Sequence, residues 1–148
     1  MNMNQFRESV LSLFRAVTAL MFLLHGMASL FGVFGGSRGT GQALEFGLWP
    51  GWWAALIQLV CGVLVLVGLL SRPCATLASG SMAYAYFMSH QPEALLPLNN
   101  GGELAAMYCW AFLLIAVLGP GSWSLDSAVR RLRDDDAPAP AHASPRPG

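Results

Sequence analysis

From Ala54 to Leu70 the chain reads AALIQLVCGVLVLVGLL, with one strong polar interruption at Gln58. A helix that crosses a bilayer needs about 20 mainly apolar residues, and starting this run at Trp52 brings it to that length. Trp49, Trp52 and Trp53 stand at its entrance, where aromatic rings favour a membrane–water boundary. Three other stretches follow suit. One runs from about Val10 to Phe31 and holds Arg15 and His25, and one from about Cys74 to His90 is rich in Ala, Ser, Gly and Tyr. The last, about Glu103 to Leu118, is stopped by Gly119-Pro120-Gly121. The Ala/Ser/Gly stretch is a poor span alone, but small residues let helices approach closely inside a bundle. The expected fold is all-α, a bundle of four transmembrane helices at about 10–31, 52–70, 74–90 and 103–118.

Composition supports this reading. Charged residues are 11% of the 148, apolar residues 55%, whereas a soluble domain carries about 25% charge. There is room for one domain, a membrane domain over residues 1–132. Residues 133–148, RDDDAPAPAHASPRPG, are charged and then Pro/Ala-rich, so a disordered cytoplasmic tail is expected there, with His142 solvated in it. Lys is absent and eight Arg balance eight acids, which leaves no electrostatic footprint for nucleic acid. Cys61, Cys74 and Cys109 are odd in number and form no C-x-x-C, so they read as apolar fillers rather than a disulfide framework or zinc site. No pair of histidines stands at i, i+4, and no haem, nucleotide or nucleophile-elbow motif occurs. No metal is expected.

Arginine placement orients the spans. Four spans put Arg7, Arg72 and the Arg130-Arg131-Arg133 cluster on one side and Arg38 on the other. Basic residues near span ends favour the cytoplasm, so both termini are expected there, with Arg38 and Asn99-Asn100 outside. Reading Arg7 to Ala28 as a cleavable leader would leave three spans and place Arg72 opposite the Arg130 cluster. That violates the same rule.

Polar groups at membrane depth face a bundle interior, and steps of three and four along a helix share a face. The first helix aligns Leu11, Arg15, Thr18, Phe22, His25 and Ser29; the second, Ala54, Gln58, Cys61, Gly62 and Val65. The third aligns Ser79, Ala83, Tyr86 and His90; the fourth, Glu103, Met107, Trp110 and Leu114. At about 1.5 Å rise per residue, His25 and Gln58 both lie roughly 9 Å below the outer boundary. Tyr86, His90 and Glu103 lie higher. These five are expected to line one outer-half ligand cavity, while Arg15, near the inner face, pairs with Asp126 or snorkels to the headgroups. The alternative for Gln58 and its neighbours is helix association alone, and for Glu103 a first-turn acid complementing its helix dipole.

The segment NNGGELAAMYCWAFLLIAVLGPGSWSLD, from Asn99 to Asp126, resembles the DoxX family of small membrane proteins. Its N-G-G-E lead and closing G-P-G-x-x-S-L-D carry the likeness. So do Arg15 followed by His25-Gly26, and G-L-L-S-R-P from Gly68 to Pro73. The resemblance, over about Leu13 to Asp126, implies a multi-pass protein of four helices in the bacterial inner membrane. It also implies a link to membrane redox chemistry, since some members are subunits of quinone-linked sulfur oxidoreductases. A quinone would be the cofactor, and a soluble or membrane redox protein the partner. Where Gln58 and Ser29 stand, the family pattern often has Glu and Lys; Gln58 carries no proton and Ser29 no positive charge. A redox accessory subunit is therefore the expected function, with a non-catalytic scaffold or a small permease as alternatives.

Overall fold

The computed structural model describes residues 2–135. Among them all regular structure is helical, with no strand. Helix α1, Met3–Phe31, reaches back to Met3 rather than starting near Val10, because Asn2 and Gln5 cap it reciprocally. This capping box satisfies amides that a polar N-terminal turn would otherwise leave open. Gly32, at φ 70°, ends the helix. Helix α2 is Gly51–Val67 and stops at Gly68, not Leu70. Helix α3, Ser71–Ala85, begins ahead of Cys74 and runs into a π-helical turn, Tyr86–His90. Pro73 is tolerated because it falls in the first turn, where amides lack helical partners. A short α4, Pro97–Asn100, precedes α5, Glu103–Leu118.

The unstructured tail expected from residue 133 begins instead as helix. Helix α6, Leu125–Asp135, runs three residues into it. The rest of that tail, with His142, lies outside the described residues.

Helix α1 packs on α2, α2 on α3, α3 on α5, and α5 back on α1. The shared core holds Phe22 from α1, Val65 from α2, Ala78 from α3 and Phe112 from α5. Phe22 lies 4.5 Å from the ring of Phe112 and 5.3 Å from that of Tyr108. Glycine sets how closely α1 and α2 approach: a Cβ on Gly26 would come within 2.7 Å of the Leu59 amide nitrogen. Among the described residues only α1 is by itself long and apolar enough to cross a membrane; α2 and α5 are apolar but have 17 and 16 residues.

The inward face of α5 differs from the expected one. Met107, Trp110 and Leu114 are exposed, and Ala105, Tyr108, Phe112 and Ile115 are buried. Helix α5 is apolar all round, so periodicity gives no contrast from which to choose a face. Tertiary contacts choose it: Phe22 stacks on the Tyr108–Phe112 side, and the Ser79 hydroxyl donates to the Cys109 carbonyl at 2.8 Å.

Candidate functional site

The ends of the molecule differ in how their polar groups are met. At one end the C-terminus of α2, the N-terminus of α3 and the turn after α5 converge on Arg15, which is 2% exposed. Its Nε donates to the Pro120 carbonyl at 2.8 Å and its Nη1 to Leu66 at 2.7 Å. Nη1 also donates to the Val65 carbonyl, and Nη2 to that of Trp123. Val65 and Leu66 sit in the last turn of α2, where the Val65 carbonyl takes only the Gly68 amide at 3.1 Å and the helix dipole favours a cation. The turn is held further by Ser12, whose hydroxyl accepts from the Trp123 amide at 3.2 Å. Gly121, at φ 75°, passes so near that a Cβ would sit 3.0 Å from the Ser12 nitrogen.

Asp126 completes this end with hydrogen bonds of its own. Its carboxylate accepts from the Leu70 and Ser71 amides, both at 3.0 Å, and its own amide donates to the Gly68 carbonyl at 2.9 Å. Of the expected ion pair, the electrostatic attraction is present, while the hydrogen bonds of the two groups go to separate helix termini: the cation closes the end of α2, and the anion the start of α3. Both charges sit where helix dipoles favour them. Partial burial by itself would raise the Asp126 pKa, but the Ser71 and Leu70 amides and nearby Arg130 hold it below the usual carboxylate value. The motif G-P-G-x-x-S-L-D is thus structural: Pro120, Gly121, Ser124 and Asp126 each bond or pack against another element.

At the opposite end the five expected cavity residues are spread over four places. His25 is exposed and lines a cleft of about 300 Å³ with Leu24, Ala28, Ser29, Phe34 and Arg38. Gln58, Tyr86, His90 and Glu103 do not line it. The α1 stripe drifts by one residue here, so Gly26 rather than His25 faces α2, with Gln58 against it. Gln58 is partly buried, and its Oε1 has no hydrogen-bond partner. Tyr86 and His90 belong instead to a cluster around Asn100. The Tyr86 hydroxyl donates to the Leu95 carbonyl at 3.3 Å, and His90 Nδ1 lies 3.1 Å from the Asn100 carbonyl. A proton on Nδ1 makes His90 the donor there. Glu103 is exposed in the first turn of α5.

Sequence reasoning missed Asn100, which is buried, donates to the Ala94 carbonyl and accepts from the Gly102 amide, both at 2.8 Å. Its place one residue before Gly101-Gly102 was the available signal. It also missed Arg38 as a neighbour of His25. Loop geometry, with Arg38 at φ 52°, brings the two together. Among the described residues neither side chain makes a hydrogen bond to protein, and no group of His, Cys, Asp and Glu is gathered to hold a metal.

Residues 10–91, more than half of the chain, match the sequence profile of the DoxX family. The chain belongs to the DoxX family. An uncharacterised protein of Haemophilus influenzae is 34% identical over 133 residues, which is 85% of this chain and 95% of that protein. No solved structure matches. As a DoxX protein the chain is a membrane protein, and its surface suits that solvent: Leu13, Val17, Leu20, Val60, Val63 and Val117 are all exposed. The profile match ends before α5, so the Asn99–Asp126 motifs rest on their own residues and on the bonds described above.

Proposed function

We propose that this DoxX protein crosses the bacterial inner membrane four times, with both termini and the Arg72 turn cytoplasmic. In this reading the cleft beside His25 and Arg38 receives a lipid-soluble ligand with a polar head, in the service of quinone- or sulfur-linked redox chemistry. The arginine distribution and the alternating directions of α1, α2, α3 and α5 support the topology. Helix length is compatible with it. At about 1.5 Å per residue α2 and α5 reach roughly 25 Å, a modest mismatch with a hydrocarbon core of about 30 Å.

One observation carries the functional half. An imidazole and a guanidinium that make no hydrogen bond among the described residues share a cleft with Leu24, Ala28 and Phe34, a mix of apolar wall and few polar groups that suits small-ligand sites. A quinone carbonyl can accept from either group, and a sulfur oxyanion can meet Arg38 bidentately. Catalysis is not part of the proposal; His25 and Arg38 bind and orient.

The test is retention of a water-soluble quinone analogue by full-length protein in nanodiscs. His25→Leu should abolish binding, and Arg38→Leu should weaken it about tenfold, with helicity and melting unchanged. Undiminished binding by both variants would overturn the site. Topology is read separately, by impermeant thiol labelling of Thr40→Cys and Arg131→Cys in intact cells, with the native cysteines replaced. Labelling only at Thr40→Cys is expected; labelling at Arg131→Cys refutes the orientation.

A further inference from the structure

Helix α6 is unlike the others. It is 11 residues long, LDSAVRRLRDD, and strongly amphipathic. Leu125, Ala128, Val129 and Leu132 recur at steps of three and four, so they form one stripe about 100° wide. Leu125, Val129 and Leu132 are all exposed among the described residues. Arg130, Arg131 and Arg133 are exposed as well, and at about 100° per residue Arg131 and Arg133 fall on either side of the stripe. Asp126 is taken up by the Leu70 and Ser71 amides, and the helix closes on Asp134 and Asp135, beyond the arginines.

The first turn fixes where this helix starts. Ser124 caps it by accepting from the Ser127 amide at 3.1 Å, and Asp126 ties it to the α2–α3 turn. Trp123, just before it, exposes its side chain while its backbone carbonyl is held by Arg15. An uncovered apolar stripe flanked by arginines therefore leaves the molecule from the end of the apolar helices, next to an interfacial-type aromatic residue.

We propose that α6 lies flat in the membrane–water interface and binds an anionic lipid surface, with its leucine and valine stripe in the acyl boundary and its arginines on lipid phosphates. Arginines on both flanks of the stripe can meet lipid phosphates, while Asp134 and Asp135 close the helix beyond them, and the stripe continues the apolar surface of the helices above it. This rests on the membrane location of the family, not on the cleft or its ligand.

Hydrogen exchange on the full-length, unlabelled chain tests it, in nanodiscs of phosphatidylcholine alone and with added phosphatidylglycerol. Amides of residues 128–133 should exchange roughly tenfold more slowly with the anionic lipid. High salt, or the combined changes Arg130→Ser, Arg131→Ser and Arg133→Ser, should remove that protection while α2 and α5 stay protected. Equal protection in the two lipids would overturn the proposal. So would protection that vanishes when the protein is diluted to one copy per disc, since the stripe would then be covered by a second copy. Thiol labelling at Thr40→Cys reports independently on the four-span reading.

Discussion

Arg15 and Arg38 are the same side chain put to opposite uses. Arg15 is buried at one end of the packed helices and donates to four carbonyls drawn from α2 and from the turn after α5. Arg38 sits exposed on a loop at the other end, beside His25, with no such acceptors. Around the first, the residues that identify the family are spent on capping and turn closure. Around the second, polar groups stand open. A recognisable motif therefore marks how this protein holds together, and a ligand is to be sought where the motif is not.

The sharpest way to break that contrast is to remove each arginine. Arg15→Leu leaves buried carbonyls without donors and should destabilise the fold by about 3 kcal/mol or more, read as melting in detergent. Arg15→Lys keeps the charge but loses the planar fork, and should recover only part of the loss. Arg38→Leu should change stability by less than about 0.5 kcal/mol. Equal melting temperatures for Arg15→Leu and Arg38→Leu would erase the distinction between the two ends.

A smaller effect is expected at Asp126. Its carboxylate titrates below the ordinary value in the folded chain, so the stability it confers is present above about pH 4. That stability is lost as pH falls through the depressed folded-state value. Asp126→Ala should cost about 1 kcal/mol near neutrality, as for a lost helix cap. It should also flatten the acid limb of a melting-versus-pH curve; an unchanged limb would remove Asp126 from the cap.

The smallest effect, and the one of opposite sign, belongs to the other end. Gln58 keeps a buried carbonyl oxygen without a partner, so Gln58→Met should leave melting unchanged or raise stability by up to about 1 kcal/mol. A clear loss would show that the amide is engaged after all.

How far the sequence carries depends on contrast and on chain separation. Around Arg15 and Phe22 the inward stripe of α1 was legible because polar and small residues interrupt an apolar background. The same holds for Cys61, Gly62 and Val65 in α2. Nothing comparable distinguishes the faces of α5, and Tyr108 and Phe112 are buried because Phe22 meets them there. The Asp126 cap joins residues 55 and 56 positions apart, a distance over which local patterns are silent; opposite charge at similar depth pointed to Arg15 and not to the amides that Asp126 caps. Of the candidate site, His25 was found but its neighbours were not, since Arg38 reaches it through a glycine-rich loop. Helix α6 was the avoidable miss: Ser124 before Leu125, Val129 and Leu132 is a cap followed by helical spacing.

The bonds of Arg15 also impose an order on how the protein is made. Its acceptors are residues 65, 66, 120 and 123, so the guanidinium is synthesised long before any of them exists. The nascent first helix must carry an uncompensated cation in its N-terminal half, with headgroup phosphates and water standing in for the missing carbonyls. The ribosome must deliver the Gly119–Gly121 turn before that charge can be drawn inside. The helix made first is thus among the last to be locked, and a chain stalled within α5 would present its arginine to the quality-control machinery as unfinished.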